Sequence, residues 1–171
     1  GISKCNIVGD LIRDPHELIK REKVKKYIGL LRYGYFGRID EKKNLHFIIP
    51  VLERLQIHHF VLWGAITDKK YYDDFLRLAN SAGIKVEYRG SYNVNDLTSI
   101  RKSFDVMLMP TLSENFGYNI LEAYLFGFGI CVSKDTTPWD CDFDDLPKCN
   151  HLNFIDLNQN DWVESVRYAQ P

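Results

Sequence analysis

The sequence predicts a doubly wound α/β domain: a parallel sheet of about six strands with helices on both faces. Short, nearly all-apolar runs alternate with segments of helical period from Arg32 onward. Glycine stands directly after three of those runs, at Gly37, Gly64 and Gly90, where backbone can approach a ligand closely. No stretch repeats and none is of low complexity.

The elements follow in order. "RYGYFG" (32–37) reads as a short aromatic strand stopped by Gly37. "NLHFIIPVLERL" (44–55) is helical by period, with Pro50 weakening or bending it. "HHFVLWG" (58–64) is a buried-type strand, and "YYDDFLRLANSAG" (71–83) an amphipathic helix with a terminal glycine. "IKVEYRG" (84–90) alternates as a strand does. "NVNDLTSIRKS" (93–103) fits a short helix capped by Asn93 or Asn95. "FDVMLMP" (104–110) is another buried strand, followed by a helix from about Asn115 to Phe126. "GICVS" (129–133) is a strand, 134–150 a loop with Pro and Asp, "LNFID" (152–156) a last strand and "NDWVESVRYA" (160–169) a last helix. Residues 1–31, with the charged "DPHELIKREKVKKY", read as a weak helix or a linker.

A chain of 171 residues is long enough to bury a full core as one domain. Its net charge of −1 excludes a global field that would draw nucleic acid or an anionic membrane. No apolar run approaches the ~18 residues of a spanning helix, and no signal peptide is visible. The four cysteines, Cys5, Cys131, Cys141 and Cys149, form no CxxC pair and no zinc spacing with histidine. They read as reduced thiols of a cytoplasmic protein, with a Cys141–Cys149 disulfide the disfavoured alternative. No metal or other cofactor is expected. The chain begins Gly-Ile-Ser without an initiator Met, as a processed or cut chain would.

In doubly wound sheets the ligand crevice lies outside the carboxyl ends of the strands. The loops to inspect are therefore "GRIDEKKN" (37–44), "GAIT" (64–67), "GSYN" (90–93) and "PTLSENFG" (110–117). The first carries Arg38, Lys42 and Lys43; the last carries Glu114 and leads into a helix N-terminus. Such a terminus suits phosphate, and Arg38 with Lys43 would complete a diphosphate site. The competing reading makes both cations solvated surface residues. Glu122 shares a helix face with Tyr118, Asn119, Leu125 and Phe126, so its carboxylate needs a partner. Two sugar hydroxyls would serve; so would a salt bridge to a nearby cation. For Glu114 the competing reading is a capping box in "TLSE" (111–114), which would force Gly117 into the helix interior. A loop position facing the crevice is preferred.

These residues resemble a known family. "FGRIDEKKNL", "VLWGAI", "VEYRGSYNVNDL" and "PTLSENFGYNILEAYLFGFGICVS", followed by "TTPW", are similar to the C-terminal half of a GT-B glycosyltransferase. The match is to the retaining family-4 group, the glycosyl transferases group 1 type, and runs from about Arg32 to Ala169. Glu114 and Glu122 reproduce its E-x7-E motif. The resemblance implies a Rossmann-like domain, half of a GT-B fold, that holds a nucleotide-sugar donor. Arg38 and Lys43 would bind and stabilise the leaving diphosphate, Glu114 would orient the hexose, and Glu122 would take the ribose hydroxyls. Backbone amides at Phe116, Gly117 and Tyr118 would reach sugar and phosphate, and Gly90 to Tyr92 would lie near the base. Two departures stand out: Gly129 replaces the proline of a Gly-x-Pro turn, and "HLNFIDLNQNDW" lacks the glycines usual before the final strand.

The resemblance further implies a UDP- or GDP-sugar donor and a glycan or lipid-linked acceptor in polysaccharide biosynthesis. It implies no nucleic acid, and it is compatible with peripheral membrane association of the full enzyme. The acceptor would belong to a missing N-terminal GT-B domain, with 1–31 as the end of the interdomain connection and 32–171 as the donor-binding domain. Two rival chemistries stay open. One is a GT-B epimerase or phosphorylase, the latter wanting a pyridoxal-phosphate lysine motif that the chain lacks. The other is a non-catalytic α/β interaction module of the receiver type, disfavoured because Pro110-Thr111 stands where a phospho-acceptor Asp would be.

Overall fold

All six apolar runs become strands of one sheet. The computed structural model describes residues 31–141, 152–169 and 171. Strands β1 (Tyr33–Phe36), β2 (His59–Trp63), β3 (Lys85–Tyr88), β4 (Val106–Met109), β5 (Gly129–Ser133) and β6 (Leu152–Ile155) lie in the order β3-β2-β1-β4-β5-β6. Every pairing is parallel. The helices are α1 (Ile48–Arg54), α2 (Lys69–Ser81), α3 (Leu97–Ser103), α4 (Tyr118–Leu125) and α5 (Gln159–Tyr168). Short 3-10 turns occupy Glu41–Lys43, Leu45–Phe47, Val94–Asp96 and Pro138–Cys141.

The strand order has a physical cause in composition. β4 and β5 are buried at every residue, which their uninterrupted apolar sequence allows and which a central position requires. β3, with Lys85 and Tyr88 exposed, takes an edge. Phe36, Phe104 and Phe128 meet in the core, with ring centroids 4.9 to 6.3 Å apart. At the amino ends of β1 and β4, Asp105 accepts from the Arg32 amide at 3.0 Å and from its guanidinium at 3.0 and 3.1 Å, and Arg101 adds a bond at 3.0 Å.

After β1 the chain builds β2 and β3 on one side, then crosses back to lay β4 on the other. The two loops leaving β1 and β4 therefore diverge, and a crevice opens between their carboxyl ends.

Several elements correct the expectations. The helix expected from Asn115 begins at Tyr118, because Gly117 sits in the left-handed region (φ 73°, ψ 49°) as its N-cap. "TLSE" forms no capping box there, and Glu114 stays in the loop. Pro50 does not bend a long helix; Leu45–Phe47 form a separate 3-10 turn, so Pro50 falls in the first turn of α1, where its missing N–H is harmless. Asn93, not Asn95, caps the 3-10 turn Val94–Asp96 that leads into α3: its Oδ1 accepts from the Asn95 amide at 2.9 Å, and the Asp96 carboxylate accepts from the Asn93 amide at 2.9 Å. The loop after β5 contains the turn Pro138–Cys141. The linker reading of the first 30 residues, Cys5, Cys149, the disulfide alternative and the rest of the Asp-containing loop lie outside the described residues. Cys131 is a buried free thiol whose pKa burial pushes up to about 12. Among the described residues no helix is long and apolar enough to cross a membrane.

Candidate functional site

The cleft begins where β1 ends. Gly37 turns the chain with φ 150°, a conformation that side chains with a Cβ rarely adopt, and a Cβ there would crowd the Tyr35 hydroxyl and stand 2.9 Å from the Asn119 amide nitrogen. Asn119 Nδ2 donates to the Phe36 carbonyl at 3.0 Å, joining the first turn of α4 to the end of β1. The Tyr35 hydroxyl holds the Arg38 carbonyl at 3.0 Å. The next turn, Glu41–Lys43, is closed by Asn44 in the left-handed region. The Lys42 carbonyl accepts the Leu112 amide at 2.8 Å and the Thr111 hydroxyl at 3.1 Å. Those two bonds fix the β1 loop against the β4 loop.

Within this frame Lys43 and Glu114, 71 residues apart, form a buried ion pair. Glu114 Oε1 also accepts the Thr111 hydroxyl at 3.1 Å, and the Glu114 amide donates to the Thr136 carbonyl at 2.7 Å. Two loops thus hold the carboxylate, and a third holds the backbone of the same residue. Its Oε2 has no partner among the described residues.

Glu122 lies one turn into α4. Tyr92 donates its hydroxyl to Glu122 Oε2 at 3.4 Å and packs its ring edge-on against Phe36 at 5.5 Å. Burial raises the Glu122 pKa above the usual carboxylate range, while the Tyr92 bond partly offsets that. Burial, then the charge of Glu122, pushes the Tyr92 phenol well above its ordinary value. The open cleft is about 390 Å³ and is bordered by Arg38, Lys42, Lys43, Tyr92, Glu114, Phe116, Gly117, Tyr118, Asn119 and Glu122, among others. Phe116 stacks with Tyr118 (4.3 Å) and meets Trp139 edge-on (5.0 Å); the Trp139 indole donates to the Phe116 carbonyl.

Eight of the nine residues singled out from the sequence border this one cleft. Gly90 does not; its carbonyl instead accepts the Gly64 amide at 2.8 Å. Lys43 is buried, which overturns its reading as a solvated cation. Arg38 is exposed at the rim (64 % of its side chain), 3.8 Å from Asp40. Among the described residues no Lys or Arg reaches Glu122, so its partner is Tyr92 and not a salt bridge. Thr111 and Asn119, which organise the site, were not singled out. The signal available was their place: a hydroxyl just after β4, and an amide at the second position of α4.

Chemically the cleft offers cations and a helix N-terminus with unpaired amides on one side, for an anion. It also offers two carboxylates with unused acceptor positions, for hydroxyl groups. Among the described residues no cluster of His, Cys, Asp and Glu could hold a metal ion.

Comparison with known proteins agrees in kind. The family model described as glycosyl transferases group 1 matches residues 17–139. A glycogen synthase of Petrotoga mobilis is 25% identical over 136 residues, covering 69% of this chain and 28% of the relative. An uncharacterised glycosyltransferase of Methanocaldococcus jannaschii, MJ1607, is 29% identical over 105 residues, covering 58% and 26%. The chain thus spans about a quarter of the length of these curated relatives. Among solved structures, Anabaena Alr3699/HepE in complex with UDP and glucose superposes with a TM-score of 0.65 at 18% identity, over 80% of this chain and 38% of that one. The C-terminal domain of a glycosyl transferase group 1 family protein (LpcC) from Francisella tularensis gives 0.61 at 17% identity, over 91% and 82%. These structural likenesses give the fold, one Rossmann-like half of the GT-B architecture.

Proposed function

The chain belongs to the glycosyl transferases group 1 family, and on that premise we propose that it is the donor-binding half of a retaining, family-4 glycosyltransferase. The whole enzyme would move a hexose from a UDP- or GDP-sugar to a glycan or lipid-linked acceptor. Residues 32–171 are then the donor domain and 1–31 the connection to an opposing N-terminal domain that carries the acceptor. The full enzyme would work in the cytoplasm in polysaccharide assembly, with peripheral membrane association where the acceptor is lipid-linked.

One observation carries the reading: Lys43 and Glu114, 71 residues apart in sequence, converge with Arg38 and Glu122 on one cleft at the carboxyl ends of β1 and β4. Glu122 takes the two ribose hydroxyls, for which its unused Oε1 is available. Arg38 and Lys43 hold the diphosphate and stabilise the charge that develops on it as the glycosidic bond breaks, an electrostatic contribution of roughly 10²–10³ in rate for one well-placed donor. Lys43 can do so without leaving Glu114, because an ammonium carries three N–H donors. Glu114, pinned from three loops, presents Oε2 to the hexose and orients it for transfer with retention. The amides at Phe116, Gly117 and Tyr118 meet sugar and phosphate, and Tyr92 borders the base. The UDP named with the Anabaena relative supports a uridine donor as the first to try.

Calorimetric titration with a panel of UDP- and GDP-sugars tests the reading, with Glu122→Ala as control. The expected result is weak binding of one nucleotide class, loss of it in the variant and no transfer by this chain alone. A folded chain that binds no nucleotide-sugar would contradict it.

A further inference from the structure

The cations around the cleft differ in what engages them. Arg38, Lys42 and Lys43 border it against two carboxylates, Glu114 and Glu122. Lys43 is engaged by Glu114, and Arg38 lies 3.8 Å from Asp40. Lys42 is the cleft cation that, among the described residues, has no acidic partner, and its side chain is exposed. The other two cleft cations each have an acidic neighbour.

Its backbone is the opposite of free. The Lys42 carbonyl is the point where the Leu112 amide (2.8 Å) and the Thr111 hydroxyl (3.1 Å) attach the β4 loop to the β1 loop. A rigid Cα with an unengaged ammonium at a cleft is an arrangement that gains by a ligand: little backbone order remains to be lost on binding, and no resident ion pair must be broken. Lys43, by contrast, sits in a protein contact that any ligand has to share.

We propose that Lys42 is a third phosphate-binding residue of this site, which takes an oxygen of the donor's diphosphate without first giving up an acidic partner. This rests on the nucleotide-sugar reading above, and it adds selectivity: the site favours a nucleoside diphosphate over the nucleoside alone by more than Arg38 and Lys43 would give. The contact is a partly solvated charge-assisted hydrogen bond, so its loss should weaken diphosphate binding by about three- to tenfold.

The test is calorimetry of the 171-residue chain with UDP, GDP and ADP and with the matching nucleosides, at fixed ionic strength. The variants are Lys42→Gln, Lys42→Arg and, as a charge control on α2 outside the cleft, Lys70→Gln; near-UV circular dichroism checks that each is folded. Lys42→Gln should lose that three- to tenfold on the diphosphate that binds and nothing on its nucleoside. Lys42→Arg should stay near the unsubstituted chain, and Lys70→Gln should match it. The proposal is overturned if Lys42→Gln binds the diphosphate as well as the unsubstituted chain does. It is equally overturned if the loss extends to the nucleoside, which marks a structural effect, or appears in Lys70→Gln, which marks a diffuse field. An unsubstituted chain that binds none of the three diphosphates removes the donor-site reading itself, and this inference with it.

Discussion

Strands β1 and β4 lie side by side, and their two ends carry charge clusters of opposite design. At the amino ends, Asp105 accepts two bonds on each oxygen, from the Arg32 amide, the Arg32 guanidinium and Arg101. At the carboxyl ends, Glu114 uses one oxygen and Glu122 accepts one long bond from Tyr92, each leaving an oxygen unused. The consequences for ionisation differ in sign. Burial pushes the Asp105 pKa up, but the Arg32 and Arg101 hydrogen bonds outweigh it and hold the carboxyl below its usual range. For Glu122 burial wins and the pKa rises. A saturated cluster is a clamp between strands; an unsaturated one at the mouth of a cleft is a set of positions for a ligand.

The largest effect should come from breaking the clamp. Asp105→Ala removes the acid that two arginines share and should cost about 3 kcal/mol in urea unfolding, the lower end for a buried pair because Arg32 is half exposed. Nucleotide affinity of the molecules that remain folded should not change. The stabilisation Asp105 supplies has a defined pH window. Its folded pKa is depressed, so the contribution is complete above the ordinary carboxylate value and is lost as pH falls through the folded one.

Glu122→Ala should behave in the reverse way, losing roughly tenfold or more in nucleotide-sugar affinity with little change in unfolding midpoint. The sign for stability follows from its raised pKa: above the ordinary carboxylate range the folded state carries the cost of a partly buried charge, and that cost is complete above the folded pKa. Glu122→Gln should therefore be as stable as the unsubstituted chain or more so at pH 7, measured by thermal melts. A loss of stability like that of Asp105→Ala would erase the distinction between the two ends.

Gly117→Ala sharpens the comparison on the backbone side. A φ of 73° disfavours any Cβ, and one here would approach Ile120 to 3.1 Å, so about 1 kcal/mol of stability should go. Because Gly117 caps α4, affinity should fall with it. Tyr92→Phe is the smallest: it keeps the contact with Phe36, so stability should change by less than about 0.5 kcal/mol. Removing its hydrogen bond should move the Glu122 pKa further up, readable by NMR titration of the side-chain carboxyl.

How much of this was legible depends on which forces set each feature. The strands were readable because burial on both faces imposes a plain composition, as in "FDVMLMP" and "GICVS". Position in the alternating pattern placed Arg38, Lys43 and Glu114 in loops after strands and Glu122 in the following helix, and the four border one cleft. The start of α4 was read a few residues early: "NFGYNILEAYL" runs on with helix-forming residues, and the left-handed Gly117 holds Asn115 and Phe116 out. The partner of Glu122 is 30 residues upstream and that of Asp105 is 73 away, so neither periodicity nor capping rules could reveal them. Gly90 followed the rule that strand-end glycines face ligands, yet its carbonyl serves the Gly64 turn.

In the proposed function the unsaturated end of β1 and β4 binds a nucleoside diphosphate-sugar. The most direct measurement is amide chemical-shift perturbation by NMR as UDP, GDP and ADP are titrated into the chain. The expected result is that one nucleotide moves the amides of Gly37–Asn44 and Asn115–Glu122 while those of Arg32 and Asp105 stay in place. A folded chain with no perturbation, or with perturbation centred on the Arg32–Asp105 end, would contradict it.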